Sequence, residues 1–70
     1  MARITKEIKS RIEKGFDIRI KKGGKFYFFY KQEFTDGEIG EWICDIYKND
    51  ELVETNFIDE EDLLFEIKYI

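Results

Sequence analysis

Five consecutive aromatic residues, Phe26 to Tyr30, constrain the fold more than any other feature of this sequence. Successive side chains of a strand point to opposite faces, so both faces of this segment are aromatic. A strand that is apolar on both faces is normally central in its sheet and covered on both sides. The chain has 70 residues, enough for a single small binding domain, residues 1–70, with a thin core. We therefore expect one aromatic face to pack inside the domain and the other to need cover from a helix, a partner chain or a ligand.

The segment before the aromatic run predicts its partner strand. Residues 16–21, starting at Phe16, alternate apolar and charged side chains as a half-buried strand does. Gly23-Gly24 predicts a tight turn into a strand over residues 25–33. A two-residue turn buries Tyr27 and Phe29, whereas a three-residue turn reverses the facing and buries the other three aromatic residues of the run.

A second hairpin is predicted around Asn49-Asp50, because both residues tolerate the positive φ angles of a type I′ turn. The turn joins a strand over residues 41–48 to a strand over residues 51–57. Its register places Asp45 opposite Glu54 on the outer face. On the apolar face the register pairs Trp42 with Phe57, Cys44 with Thr55, and Ile46 with Val53.

Both ends of the chain carry helical patterns. Isoleucines recur every fourth residue over residues 4–14, and Gly15 suits the left-handed position after a helix. Asp59, followed by three carboxylates, has the pattern of a helix start. Alternation over residues 65–69 instead predicts a turn and a fifth strand, an order that resembles small SH3-like barrels.

The predicted fold class is α+β, with an N-terminal helix, a four-stranded antiparallel β-meander and a C-terminal helix. The alternative is a small SH3-like β-barrel with an N-terminal helix. Nothing in the sequence marks an internal domain boundary.

The residues on which most catalytic sites depend are missing or isolated. The sequence has no histidine, and its lone serine, Ser10, lies on a predicted helix surface without a partner base. Cys44 alternates with core residues, where a thiol is inert. No glycine opens a helix after a strand, as a phosphate-binding loop requires. We predict a protein that is not an enzyme, with no catalytic residues, no cofactor and no metal ligands.

The sequence also predicts a compartment. The longest apolar run is too short to span a membrane, and the N-terminus lacks the apolar core of a signal peptide. A single cysteine cannot form an internal disulfide, which favours a reducing environment. We expect a cytoplasmic protein with no membrane partner.

Charge divides the chain into two blocks. Residues 1–31 hold 10 basic and 3 acidic side chains, a net +7, whereas residues 32–70 hold 2 basic and 13 acidic ones, a net −11. Such asymmetry indicates a charged partner. The other interpretation is that the blocks neutralise each other, within a monomer or across a homodimer or larger homo-oligomer.

The acidic block leads to our first functional hypothesis, a small acidic protein-binding module that acts as a DNA mimic, because dense carboxylates imitate the phosphates of duplex DNA. In size, acidity and order of elements, though not in any motif, the chain is similar to small acidic α+β proteins of phages and mobile elements. Among these are anti-CRISPR proteins and inhibitors of uracil-DNA glycosylase. The resemblance implies an inhibitor of a host protein. The candidate partner-binding residues are Asp36, Glu38, Asp45, Glu54, Asp59, Glu60, Glu61 and Asp62.

The basic block leads to the alternative hypothesis, a module that binds single-stranded nucleic acid through the hairpin of residues 16–31. Sheets bind single strands by stacking bases on aromatic rings and pairing phosphates with lysine and arginine. The candidate nucleic-acid-binding residues are Arg19, Lys21, Lys25, Phe26, Phe28 and Tyr30.

Overall fold

A computed structural model of the chain describes residues 4–33, 37 and 39–70. The elements follow in the order α1 (Lys6–Lys14), β1 (Ile18–Lys22), β2 (Lys25–Glu33), β3 (Ile39–Lys48), β4 (Glu51–Ile58) and α2 (Glu60–Lys68). The four strands form one antiparallel sheet in the order β1-β2-β3-β4. The sheet is open, so the α+β prediction is confirmed and the barrel alternative is wrong.

Helix α1 ends at Lys14 as predicted but begins at Lys6, two residues later than the predicted range. The Thr5 hydroxyl accepts a hydrogen bond from the Ile8 amide at 3.2 Å, which satisfies one of the free N–H groups of the first turn. Gly15 ends the helix at φ 74°, in the left-handed region that favours glycine. Ile12 is buried, and Ile4 and Ile8 pack beside it against the core. The isoleucine stripe therefore holds α1 on the sheet.

The first hairpin has the two-residue turn. Lys22 pairs with Lys25, which sets Ile18 opposite Phe29 and puts Tyr27 on the same face. Both helices cover that face, and the core consists of Ile12, Ile18, Phe29, Trp42, Cys44, Ile58, Leu63 and Ile67. Strand β2 is central, as predicted, and among the described residues no helix covers its second face, since both helices lie on one side.

Phe16 corrects the predicted start of the first strand. Strand β1 begins at Ile18, and Phe16 lies before it with half of its surface exposed. Gly15 directs the chain out of α1, and the connection is held by the Arg11 side chain, whose Nε donates to the Asp17 carbonyl oxygen at 2.7 Å. The Arg11 guanidinium also lies 5.7 Å from the centre of the Phe16 ring. Phe16 thus packs against a cation on the surface.

A β-bulge corrects the register of the second hairpin. Lys48 pairs with Glu51 as predicted, and both turn residues have positive φ, 53° at Asn49 and 64° at Asp50. Val53 has no partner on β3, because Tyr47 pairs with Leu52 and the next pair is Ile46 with Glu54. Every later pair is therefore shifted by one residue from the prediction. Asp45 lies opposite Thr55, Cys44 opposite Asn56, Ile43 opposite Phe57, and Trp42 opposite Ile58.

Helix α2 replaces the alternative fifth strand. It starts after Asp59, whose side chain makes no capping hydrogen bond, although the Asp59 carbonyl oxygen accepts from the Asp62 amide at 2.9 Å. Leu63 and Ile67 are fully buried against the sheet. Phe65 and Tyr69 point outward and pack on each other, with ring centroids 4.5 Å apart. Helical spacing thus separates Ile67 from the two aromatic residues that a strand would have placed on its face.

Candidate functional site

One side of the sheet has no helix over it among the described residues. We call this side the open face, and the alternation along each strand assigns residues to it. Three rows run across it from β1 to β4. The rows are Lys21, Phe26, Tyr47 and Leu52; Arg19, Phe28, Asp45 and Thr55; and Tyr30, Ile43 and Phe57.

The aromatic rings of the open face cover one another in place of a helix. Phe28 and Tyr30 lie with ring centroids 5.1 Å apart, and Phe26 and Tyr47 with centroids 6.2 Å apart. The Arg19 guanidinium lies 5.4 Å from the centre of the Phe28 ring. All four rings are half-buried. The open face is therefore an aromatic platform with cations along its β1 side.

Asp45 is a buried carboxylate in the middle of this platform. Its side chain is 9% exposed and accepts hydrogen bonds from the Tyr30 hydroxyl at 3.0 Å and from the Thr55 hydroxyl at 2.9 Å. Burial raises the pKa of Tyr30 above its usual 10.0, and the hydrogen bond to Asp45 and the charge of that carboxylate raise it further. The predicted opposition of Asp45 and Glu54 is wrong, because the bulge exchanges a carboxylate for a hydroxyl donor.

Five of the six candidate nucleic-acid-binding residues lie on the open face. Arg19, Lys21, Phe26, Phe28 and Tyr30 belong to its rows, and Lys25 lies beside them at the turn. Lys21, Lys25 and Phe26 line a groove of about 480 Å³ between the two hairpin turns, together with Gly24, Tyr47, Asn49 and Asp50. Arg19 is only partly available, since its Nε lies 3.2 Å from the Asp17 carboxylate.

The six candidate acidic residues that the structure describes are not brought together. Asp36 and Glu38 lie outside the described residues. Asp45 is engaged within the sheet, whereas Glu54 is exposed and pairs with Ile46 on the helix-covered side. The other four, Asp59, Glu60, Glu61 and Asp62, are exposed at the start of α2.

The two charge blocks make little contact in the part of the chain that the structure describes. Arg11 and Arg19 both pair with Asp17, inside the basic block. Among the described residues, a single ion pair joins the blocks, Lys31 with Glu60 at 3.9 Å. Within this part of the chain the blocks therefore do not neutralise each other through ion pairs.

Sequence patterns did not reveal the exposed apolar side chains of the last two elements. Leu52, Val53 and Phe57 on β4 are 54%, 54% and 64% exposed. Leu64, Phe65 and Tyr69 on α2 are exposed as well. No basic residue occurs between positions 49 and 67, where eight residues are acidic. We call the exposed side chains of β4 and α2, with the acidic residues between them, the C-terminal surface; its Leu52 and Phe57 lie on the open-face side of the sheet, and α2 lies on the helix-covered side.

Cys44 is buried, and the described residues contain no cluster of potential metal ligands. Cys44 is 4% exposed, so its predicted burial is confirmed. Burial raises the pKa of the Cys44 thiol to about 12, and the nearby carboxylates of Asp45, Glu66 and Glu54 contribute to the shift. No group of three or more potential metal ligands occurs within residues 4–33, 37 and 39–70. Neither helix in this part of the chain has the length and apolar character needed to cross a membrane.

Comparison of the chain with protein-family models, curated proteins and solved structures returned no match. The fold and its surfaces define a small α+β domain with one helix-covered and one open sheet face. The open face and the C-terminal surface are its two candidate binding regions, and they share Leu52 and Phe57.

Proposed function

We propose that the protein is a non-enzymatic module that binds another protein through its C-terminal surface. The observation that supports this proposal concerns β4 and α2. Both carry exposed apolar side chains, and the chain from position 49 to position 67 contains carboxylates but no basic residue. Large exposed apolar side chains surrounded by polar ones are typical of protein-interaction sites. A partner with basic residues around an apolar hollow fits this surface.

Charge and apolar burial have different roles in this proposal. The carboxylates of residues 59–62 attract a basic partner over about a Debye length, roughly 8 Å at physiological salt, and therefore raise the association rate. The aromatic side chains, such as Phe57 and Phe65, supply the area that is removed from water in the complex. Asp45 has no place in the interface, because its carboxylate is buried and hydrogen-bonded within the sheet.

The finer proposal is that the partner is a cytoplasmic host protein that binds DNA, inhibited by a phage or mobile-element protein. It rests on the size, the acidity and the order of the elements, and on the cluster of carboxylates at the start of α2. Those carboxylates would stand in for phosphates, which follow one another about every 1.7 Å along duplex DNA. A DNA fragment would then compete with this protein for the partner.

A charge-reversed variant tests the proposed function. The protein is used to capture its partner from a host lysate, and the complex is rebuilt from purified components. We expect affinity to fall as salt rises from about 50 to 500 mM, and to fall several-fold further in the Glu61→Lys/Asp62→Lys variant. The Glu7→Lys/Glu13→Lys variant is the matched control, since it makes the same charge change on α1. Equal binding by both variants would contradict the proposal.

The open face favours a second candidate function, the binding of single-stranded nucleic acid. The specific observation is that five of the six hairpin residues named for this role lie on the open face, and that Lys21, Lys25 and Phe26 line one groove. Bases would stack on the aromatic platform while phosphates pair with the lysines. The net charge of −4 opposes such binding at physiological salt.

An oligonucleotide titration distinguishes the two functions. A fluorescent oligothymidine is titrated with protein at about 150 mM salt. We expect no micromolar binding. Micromolar binding that is lost in Lys21→Glu/Lys25→Glu, but kept in Lys48→Glu/Lys68→Glu, would replace the first proposal with the second.

A further inference from the structure

The two edges of the sheet differ in how they are protected against another strand. Edge strands expose unpaired N–H and C=O groups, and proteins commonly block them with lysine. Strand β1 carries three cations in five residues, Arg19, Lys21 and Lys22. Strand β4 has no cation, and all of its residues from Glu51 to Phe57 are exposed. Of the two edges, β4 is the one open to pairing.

The alternation along β4 gives the two sides of that edge different chemistry. Leu52 and Phe57 lie on the open-face side, and Phe57 is the most exposed of the apolar residues of β4. Glu51 and Glu54 lie on the helix-covered side, through their pairing with Lys48 and Ile46. A strand laid against β4 would meet Leu52, Thr55 and Phe57 on the open-face side, and Glu51, Glu54 and Asn56 on the helix-covered side. Its own residues would therefore alternate between apolar and basic.

Charge argues against a second copy of the chain as the occupant of this edge. Two β4 strands side by side would bring their glutamates, and the acidic residues that flank them, close together. Like charges on neighbouring strands are destabilising. A basic strand gains from the same carboxylates.

We propose that β4 binds the protein partner by strand addition, taking up an extended segment of alternating basic and apolar residues. This inference rests on the proposed function and names the chemistry of its partner. The bulge at Val53 bends the strand, so the regular segment available for pairing is Glu54–Ile58. Main-chain hydrogen bonds supply affinity in such complexes, and the alternating side chains supply specificity.

A pair of peptides tests strand addition on the unmodified protein. The first is an eight-residue peptide of alternating lysine and valine; the second has its two central valines replaced by proline. Both carry the same charge, but proline lacks the N–H that a ladder requires. Binding is followed by amide chemical shifts and amide hydrogen exchange.

We expect the lysine-valine peptide to shift the amides of residues 54–58 and to slow their exchange, and the proline peptide to bind at least tenfold more weakly. Three results would overturn strand addition: shifts confined to other elements, no saturable shift of β4 amides up to about 1 mM peptide, or β4 shifts that depend on protein concentration alone. The last would identify a second copy as the occupant.

The failure of strand addition is distinguishable from the failure of the proposed function. If both peptides bind equally and Glu61→Lys/Asp62→Lys weakens both, strand addition is wrong and acidic recognition stands. If partner capture does not respond to salt or to charge reversal, the proposed function is wrong whatever the peptides show.

Discussion

At the scale of single residues, Asp45 is a buried carboxylate, and both of its oxygens are hydrogen-bonded. Two hydroxyl groups, from Tyr30 on β2 and Thr55 on β4, donate to its two oxygens. The carboxylate thereby connects three strands across the open face. An unsatisfied group at this position costs free energy, because it has been removed from water.

We predict that Asp45→Asn lowers the free energy of unfolding by about 1–3 kcal/mol, since an amide has one oxygen for two hydroxyl donors. Urea denaturation measures the change. Glu54→Gln, which alters an exposed carboxylate on β4, is the control and should change stability by less than about 0.5 kcal/mol. Equal effects of the two substitutions would show that the hydrogen bonds to Asp45 contribute nothing.

Cys44 gives a second prediction at this scale. Because its thiol is buried and its pKa is raised to about 12, native protein should react with a thiol reagent orders of magnitude more slowly than urea-unfolded protein. The folded pKa lies above the ordinary value of 9.0, so the thiol's contribution to stability is complete below pH 9.0 and is lost as the pH rises towards 12. Cys44→Ala should flatten the alkaline part of the stability curve. Rapid labelling of the native protein would contradict the burial of Cys44.

At the scale of elements, turns and caps were predictable because single residue types encode them. Gly15, Gly23-Gly24 and Asn49-Asp50 each supply positive φ angles, and the structure has a helix end or a tight turn at each. The bulge at Val53 was not predictable, since no glycine or proline marks it. The bulge shifts every later β3–β4 pair by one residue from the predicted register. As a result Phe57 is exposed instead of packed on Trp42.

Part of the candidate site was also predictable from the sequence, and part was not. The hairpin residues of the open face share a surface because Gly23-Gly24 fixes their register. The acidic residues do not form one site, because Asp45 is held inside the sheet and α2 carries residues 59–62 elsewhere. The exposure of Leu52 and Phe65 depends on long-range packing, which an apolar residue type alone does not reveal.

The second turn gives a prediction about an element. Asp50 has a φ of 64°, which is strained for a residue with a Cβ, and Asn-Gly is the preferred pair in a type I′ turn. Asp50→Gly should therefore raise the free energy of unfolding by up to about 1 kcal/mol, as measured by thermal or urea denaturation. Glu51→Gly, one residue later and inside β4, should be destabilising. A destabilising Asp50→Gly would mean that the turn is held by the aspartate side chain.

At the scale of the whole molecule, charge is separated rather than neutralised. Lys31–Glu60 is the one ion pair between the blocks within the described part of the chain, and at 3.9 Å, with the Glu60 side chain 60% exposed, it adds little. The protein therefore presents both a basic and an acidic surface at neutral pH despite its net charge of −4.

We predict that the protein is retained at pH 7 and low salt by a cation exchanger as well as by an anion exchanger. The basic block binds the first resin if its lysines are free of carboxylate partners. Lys21→Glu/Lys25→Glu should abolish retention on the cation exchanger. Lys48→Glu/Lys68→Glu, with the same net charge but altered in the acidic block, should preserve it. A wild-type protein that flows through would show that the blocks neutralise each other.

The unpaired Val53 has a consequence for how such a domain varies between lineages. Because Tyr47–Leu52 and Ile46–Glu54 already flank it as neighbouring pairs, loss of the Val53 codon leaves every remaining β3–β4 pair in place. What such a deletion changes is the bend of the outermost strand, and with it the shape offered to another molecule. One-codon deletions or insertions at this position therefore reshape the β4 edge while every β3–β4 pair stays in place.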